Sequence, residues 1–227
     1  MNVLLAELQY GDTGYPAGAY AHSLGLETAV EERWIGGAAE LESVVRSLLV
    51  WQTARTDSVA AAASSRAAMK RDAGDFCAID RRLTATRPAR ETREASLRVG
   101  RQMLETAAAC EWDSWIEELR DLVAANNADG NQAAIVGAIL GRHGALPEDA
   151  AALVMWSTST SLLNAAVRLG TITHVEAQRI LTHLRPLMAS LTPVAAAADW
   201  KQMGGSVPLL EICQMRHEIA QTRLFAS

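Results

Sequence analysis

The chain has 227 residues, 49% hydrophobic and 21% charged, with a formal net charge of -5. That length and apolar content suit one large domain or two small ones with a sizeable core. The acidic balance argues against a nucleic-acid protein, which needs surplus cations to neutralise phosphates. The N-terminal MNVLLAELQYGD lacks a basic leader, a long apolar run and a small-residue cleavage site. No stretch reaches the roughly 18 uninterrupted apolar residues of a membrane span. Cys77, Cys110 and Cys213 are far apart and odd in number. They read as buried small hydrophobes in a reducing cytoplasm, not as a disulfide framework.

Helical periodicity runs through almost everything after residue 22, and strand alternation is nearly absent. Residues 1–22 read as an N-terminal segment and a Gly/Pro turn. Ser23 is the expected cap of a helix beginning at Leu24. Leu41, Val44, Val45, Leu48 and Leu49 form the apolar face of an amphipathic helix expected to run on through Ala60–Ala63. A break follows at Asp72–Asp75 and another at Arg87-Pro88. From Ala89 a charged helix should present Leu97, Gly100, Arg101 and Leu104 on one face. Asp113 can cap a helix over 114–125, and Asn126, Asn127, Asp129 and Gly130 form a turn. Further helices are expected over Asn131 to about Arg142 and roughly Glu148 to Leu169, the second closed by Gly170. Thr173 and Glu176 make a capping box. Pro186 and Pro193 should kink or divide the next helix. The last helix starts near Pro208 and ends near Leu224, in a tail from residue 206 to 227. The sum is an all-α protein, a single compact domain of about nine or ten helices.

The stretch YGDTGYPAGAYAHSLGLE (Tyr10–Glu27) has the look of a site. A phosphate loop would need Lys after its glycines. After Gly18 come Ala19, Tyr20 and Ala21 instead. Asp12, His22 and Ser23 are too close in sequence for an ordinary triad, whose members come from separate elements. Among the histidines His22, His143, His174, His183 and His217, no metal pattern emerges. His217-Glu218 begins H-E-x-x-H, but the fifth position is Gln221. His174 and His183, nine apart, point to opposite faces of one helix. The cluster Arg87, Arg90, Arg93 and Arg98, interleaved with Glu91 and Glu94, reads as a solvated salt-bridged face, or else as a partner-binding face. The small residues after Trp156, through Ser161, read as close helix packing. No convergent acid, base, nucleophile or metal set emerges, so a protein that works by binding, with no cofactor, is expected. The two alternatives are a metal-storage or sensor protein and a small-molecule helical enzyme.

Four segments in chain order carry a resemblance. They are PAGAYAHSLGLE (16–27) followed by TAVEERWI, ARETREASLRVG (89–100), SLLNAAVRL (161–169) and MRHEIAQTRLFAS (215–227). Together they resemble the urease accessory protein F family. Its signatures are P-x-G-small-aromatic-x-x-S-x-G-L-E, an R-E-x-R helix ending in Gly, a small-residue late-middle helix and a closing R-H-E-x-x-x-x-R-L-[FY]-x-S. Ala19 departs where many members have Gly, and Ala226 where many have Arg. The resemblance implies an all-α cytoplasmic homodimer without catalysis. It binds accessory protein D/H, recruits the nickel-carrying GTPase (accessory protein G), gates its GTP hydrolysis and so helps nickel enter apo-urease. It assigns Tyr20, Glu27 and Arg223 to GTPase recruitment and gating. It assigns His217, Glu218, Leu224 and Phe225 to a tail ordered by the D/H partner. On that reading Glu27 faces outward, Tyr20 lies near the tail carrying Arg223, and the tail offers Leu224 and Phe225 as an exposed apolar anchor.

Overall fold

Ala, Leu and the straight-chain polar residues that dominate this sequence favour helix. In a computed structural model the described residues (3–18, 23–110, 113–219 and 225) are helices and their connections. They form α1 (Val3–Gly11), α2 (Leu26–Glu31), α3 (Ala38–Trp51), α4 (Asp57–Lys70), α5 (Ala73–Ala85), α6 (Arg90–Cys110), α7 (Ser114–Ala124), α8 (Gln132–Arg142), α9 (Pro147–Arg168), α10 (His174–Ala197) and α11 (Pro208–His217), with 3-10 turns at Thr53–Arg55 and Trp200–Gln202. Ten of these helices follow residue 22, and α1 precedes it, in a segment where the sequence pattern predicts no helix. The all-α expectation holds, in one compact unit around one core.

The core is organised on α4. Its residues from Ser58 to Ser65 are all buried, because Ala and Ser leave room for neighbours on every side. It lies along α8, with α9, α10 and α5 against its other faces. The α4–α8 seam is a backbone contact. A Cβ on Gly137 would stand 2.1 Å from the Ala61 carbonyl oxygen, and one on Gly141 2.5 Å from that of Ser65. Among the described residues only α9 is long and apolar enough to cross a membrane, and half of that stretch is buried inside the fold.

Most boundaries have a local cause. Asp113 Oδ1 accepts from Trp115 N at 2.9 Å and opens α7. Thr173 and Glu176 form the expected capping box on α10, and Gly170 is left-handed at φ 71°. Asp72 caps α5, accepting from Asp75 N.

Four expectations are corrected. The helix expected to carry Leu41–Leu49 on through Ala60–Ala63 is broken, because the chain turns at Gln52–Thr56. Its freed carbonyls are covered by the Gly204-Gly205 loop: Gly204 N donates to Arg55 O, and Gly205 lies against Trp51 O. Conversely, α10 runs unbroken through Pro186 and Pro193. The two prolines are seven residues apart and exposed, as are Thr182 and Ala189 four residues before them, so water serves the carbonyls they release. The buried face of α6 is Thr92, Ala95, Ser96, Val99, Gly100, Met103, Leu104 and Ala107, leaving Arg101 exposed. Of the cysteines, Cys213 is buried, Cys77 half-buried and Cys110 exposed.

Candidate functional site

The chain enters the site through Ser23-Leu24-Gly25-Leu26. Leu26 N donates to Ser23 O at 3.0 Å, with φ 53° at Leu24 and 84° at Gly25. This is a mirror-image turn of the type I′ kind, unfavourable for a leucine. Gln214 of α11 donates to Leu24 O at 3.2 Å and secures it. Gly25 is fixed twice over: its φ disfavours a side chain, and a Cβ would lie 3.0 Å from both Gln214 N and Leu210 O. Gly25, not Ser23, stands at the N-cap of α2, with no side-chain cap bond; Ser23 is fully buried. The turn thus brings α2 against α11 at backbone distance.

That contact places Glu27 in the interior, which corrects its expected outward orientation: it is 2% exposed. Its Oε2 lies 3.1 Å from His217 Nε2 and 3.2 Å from Phe225 N, which donates to it. On the other side of the imidazole, His217 Nδ1 lies 2.7 Å from Glu91 Oε2 of α6. Both ring nitrogens of His217 thus face a carboxylate oxygen, one from α2 and one from α6. The His217 and Glu27 side chains are 2% and 3% exposed and that of Glu91 12%, so the arrangement is shielded from water. Removing His217 takes from two shielded carboxylates the ring that links them, the kind of loss in a buried polar group that costs about 3 kcal/mol.

The neighbours of His217 complete the motif. Glu218 Oε1 accepts from Arg90 N at 2.8 Å and Glu91 N at 3.3 Å, capping α6 from just beyond the end of α11, where the dipole of α6 favours an anion. Arg216 Nη1 bonds both oxygens of Glu32 at 2.6 Å and lies 5.5 Å from the Trp34 ring centroid. That pair is half-exposed and worth at most about 1 kcal/mol. The R-H-E residues are therefore partnered inside the chain, one to each of α2's end, the buried carboxylates and the start of α6.

The anchor expected to be exposed is also internal. Phe225 is 7% exposed, with the Arg168 guanidinium 4.4 Å from its ring centroid. Tyr20, Arg223, Leu224 and His22 lie outside the described residues, and so does the expected proximity of Tyr20 to Arg223. Asp12 is exposed and accepts from Gly14 N at 2.7 Å, remote in character from buried Ser23. The sequence pattern puts Glu91 on a solvated face and gives Arg168 no role, and the structure corrects both. The spacing R-E-x-R is the available signal for Glu91. Arg87 likewise leaves the expected solvated cluster: its side chain is 11% exposed and paired with Asp57.

Two further polar features serve the scaffold. Asp80, fully buried, accepts from the backbone N–H groups of Asp129, Gly130 and Asn131 and from Asn131 Nδ2, tying the α7–α8 loop to α5. Burial raises its pKa despite these bonds, of which that from Gly130 opposes it most. The same loop explains Gly100, whose Cβ would stand 2.2 Å from Gly130 O. In the Ser/Thr run, Ser159 and Thr160 bond back to the carbonyls of Met155 and Trp156. Ser157, Thr158 and Ser161 instead line a cavity of about 130 Å3 between α3, α6, α8 and α9. Among the described residues, no three His, Cys, Asp or Glu side chains are placed to hold a metal ion.

The segments that meet around His217 come from residues 25–27, 90–91 and 216–218, nearly the two ends and the middle of the chain. Comparison with known proteins covers all of them. A family model described as UreF matches residues 35–185. The chain belongs to the UreF family. It is 32% identical over 223 residues to a protein of Paenarthrobacter aurescens strain TC1, covering 98% of this chain and 97% of that one. It is 29% identical over 228 residues to one of Bacillus sp. strain TB-90, covering 100% of both. A third, from Methylobacterium radiotolerans, is 32% identical over 218 residues, with 94% and 92% covered. All three relatives bear the name urease accessory protein UreF. The UreF family match stops short of both the G-L-E and R-H-E segments, whereas the first two relatives align over 98% or more of the chain.

Proposed function

We propose that this UreF-family chain is a urease maturation co-chaperone and adaptor that works by binding, not by catalysis. With accessory protein D/H as partner, it recruits the nickel-carrying GTPase G and gates its GTP hydrolysis, and nickel passes as cargo into apo-urease. It acts in the cytoplasm, as a homodimer. The observation that carries this reading is the match, end to end, to relatives named urease accessory protein UreF. The meeting of three family signatures at His217 supports it, because a binding protein needs a rigid base from which to present a recognition segment.

Within this reading Tyr20, Glu27 and Arg223 serve GTPase recruitment and gating, and His217, Glu218, Leu224 and Phe225 serve the D/H partner. The burial of Glu27, His217 and Phe225 gives these three an indirect part: they hold the surface that the partner meets. Arg223 is the residue best suited to direct contact, since Arg is favoured at binding hot spots. The test is co-expression with D/H- and G-type proteins, followed by affinity capture. The full chain is expected to retain both partners, and Arg223→Ala to retain D/H but lose most of the GTPase. Undiminished GTPase capture by the variant overturns the tail assignment, and absence of any complex with the unaltered chain overturns the function.

A further inference from the structure

His217 Nε2 and the backbone N–H of Phe225 converge on one atom, Glu27 Oε2, at 3.1 and 3.2 Å. The chain that leaves α11 at His217 and the chain that arrives at Phe225 therefore meet at a single buried oxygen. One carboxylate on Nε2 fixes that nitrogen but leaves the ring free to pivot about it. Glu91 removes that freedom. It grips Nδ1 at 2.7 Å from α6, on the far side of the ring, and its own backbone N–H is held by Glu218. Arg168 closes the assembly over the Phe225 ring.

We propose that Glu91, Glu27 and His217 form a clasp that fixes the base of the segment between residues 217 and 225, and that Glu91 is the residue that positions it. In the sequence Arg223 lies between the two residues that the clasp joins, so recruitment through that arginine is expected to depend on the clasp; this consequence rests on the functional reading above. Neither glutamate need touch a partner. Each acts through the ring of His217, and Glu27 also through the Phe225 backbone. Substituting either is then expected to disturb recruitment in the same way, and substituting both to add little beyond one.

The experiment compares the full chain with Glu91→Ala and Glu91→Gln by amide hydrogen exchange, read at Phe225, along α11 and along α4 and α8. Glu91→Ala is expected to speed exchange at Phe225 and in the last turn of α11 about tenfold, as loss of a buried charged hydrogen bond would. Amides of α4 and α8 should keep their protection. Glu91→Gln retains a carbonyl acceptor for Nδ1–H and is expected to restore most of the protection at Phe225, which a change in bulk packing would not predict. Should Glu91→Ala fail to fold, Glu91→Asp shortens the side chain by one methylene and is expected to give the same local loss in smaller measure. Unchanged protection at Phe225 in the folded variants overturns the clasp. GTPase capture, measured on the same samples, should fall with protection at Phe225; full capture after protection is lost overturns the link to recruitment. No capture by the unaltered chain would be a failure of the functional reading, and the exchange result would still decide the clasp.

Discussion

At the scale of single residues, two glycines show what a motif letter means physically. Gly25 lies within S-L-G-L-E, and its environment leaves room for hydrogen alone: φ is 84°, and a Cβ would stand 3.0 Å from each of Gln214 N and Leu210 O. Gly25→Ala must therefore bear a left-handed alanine and push α11 away. The expected loss is about 2 kcal/mol in unfolding free energy, with α11 losing its register on α2. Urea denaturation with the Trp fluorescence signal measures the first. The hydrogen bond from Gln214 to Leu24 O, followed through the Gln214 side-chain amide in NMR, reports the second. A Gly25→Ala variant as stable as the unaltered chain would show that the α2–α11 contact yields freely, and the turn would then lose its place as the anchor of the site. Gly18, by contrast, has φ 73° with no atom of the described residues within 4 Å of a Cβ there, so among those residues its need is conformational only.

At the scale of elements, the sequence is most legible where a local signal and the fold agree. Asp113, the Thr173/Glu176 box and Gly170 each mark a boundary by chemistry confined to a few residues, and the structure keeps those boundaries. It is least legible where a distant segment decides. Nothing near Trp51 announces that Gly204 and Gly205 will cover its turn, and nothing near Pro186 announces that its face is solvated. The same holds for the site. Its residues are legible as family letters, but burial of Glu27 depends on α11, some 190 residues away, and pairing of Glu91 depends on a histidine in that helix. The α4–α8 seam is the element-level feature with the sharpest consequence. Adding a methyl group at Gly137 requires the two helices to part, since the atom would fall 2.1 Å from Ala61 O. Gly137→Ala is expected to cost about 3 kcal/mol or more and to lower the thermal midpoint by several degrees. Gly144→Ala, at a positive φ but in open space, should cost only about 1 kcal/mol by the strain of its backbone. Equal losses for the two would mean that α8 is not seated on α4 at backbone distance.

At the scale of the whole molecule, the three cysteines offer a way to ask whether the site opens separately from the core. Cys213 is fully buried on α11, and burial, reinforced by Glu32, pushes its thiol up to about 11 from an ordinary 9.0. At pH 8, three units below that value, about one such thiol in a thousand is ionised, and the thiolate is the form that reacts with an alkylating reagent. Cys110 is exposed and Cys77 half-buried. The expected order of labelling in the native protein is Cys110 first, Cys77 next and Cys213 last, with Cys213 reacting only as α11 leaves α2. A folded thiol that holds its proton more tightly than an unfolded one contributes stability below pH 9, and that contribution is lost as pH rises from 9 toward 11. The α11 contact should therefore weaken in that range, and Cys213 labelling should accelerate there more than rising ionisation alone accounts for. If α11 opens by itself, Cys213 labelling at low denaturant will be faster than global unfolding permits, and a variant that weakens the core without touching α11, such as Gly137→Ala, will change it little. If Cys213 instead labels only with global unfolding, α2, α6 and α11 belong to the same cooperative unit as the α4–α8 core, and the surface offered to a partner is as rigid as the core beneath it.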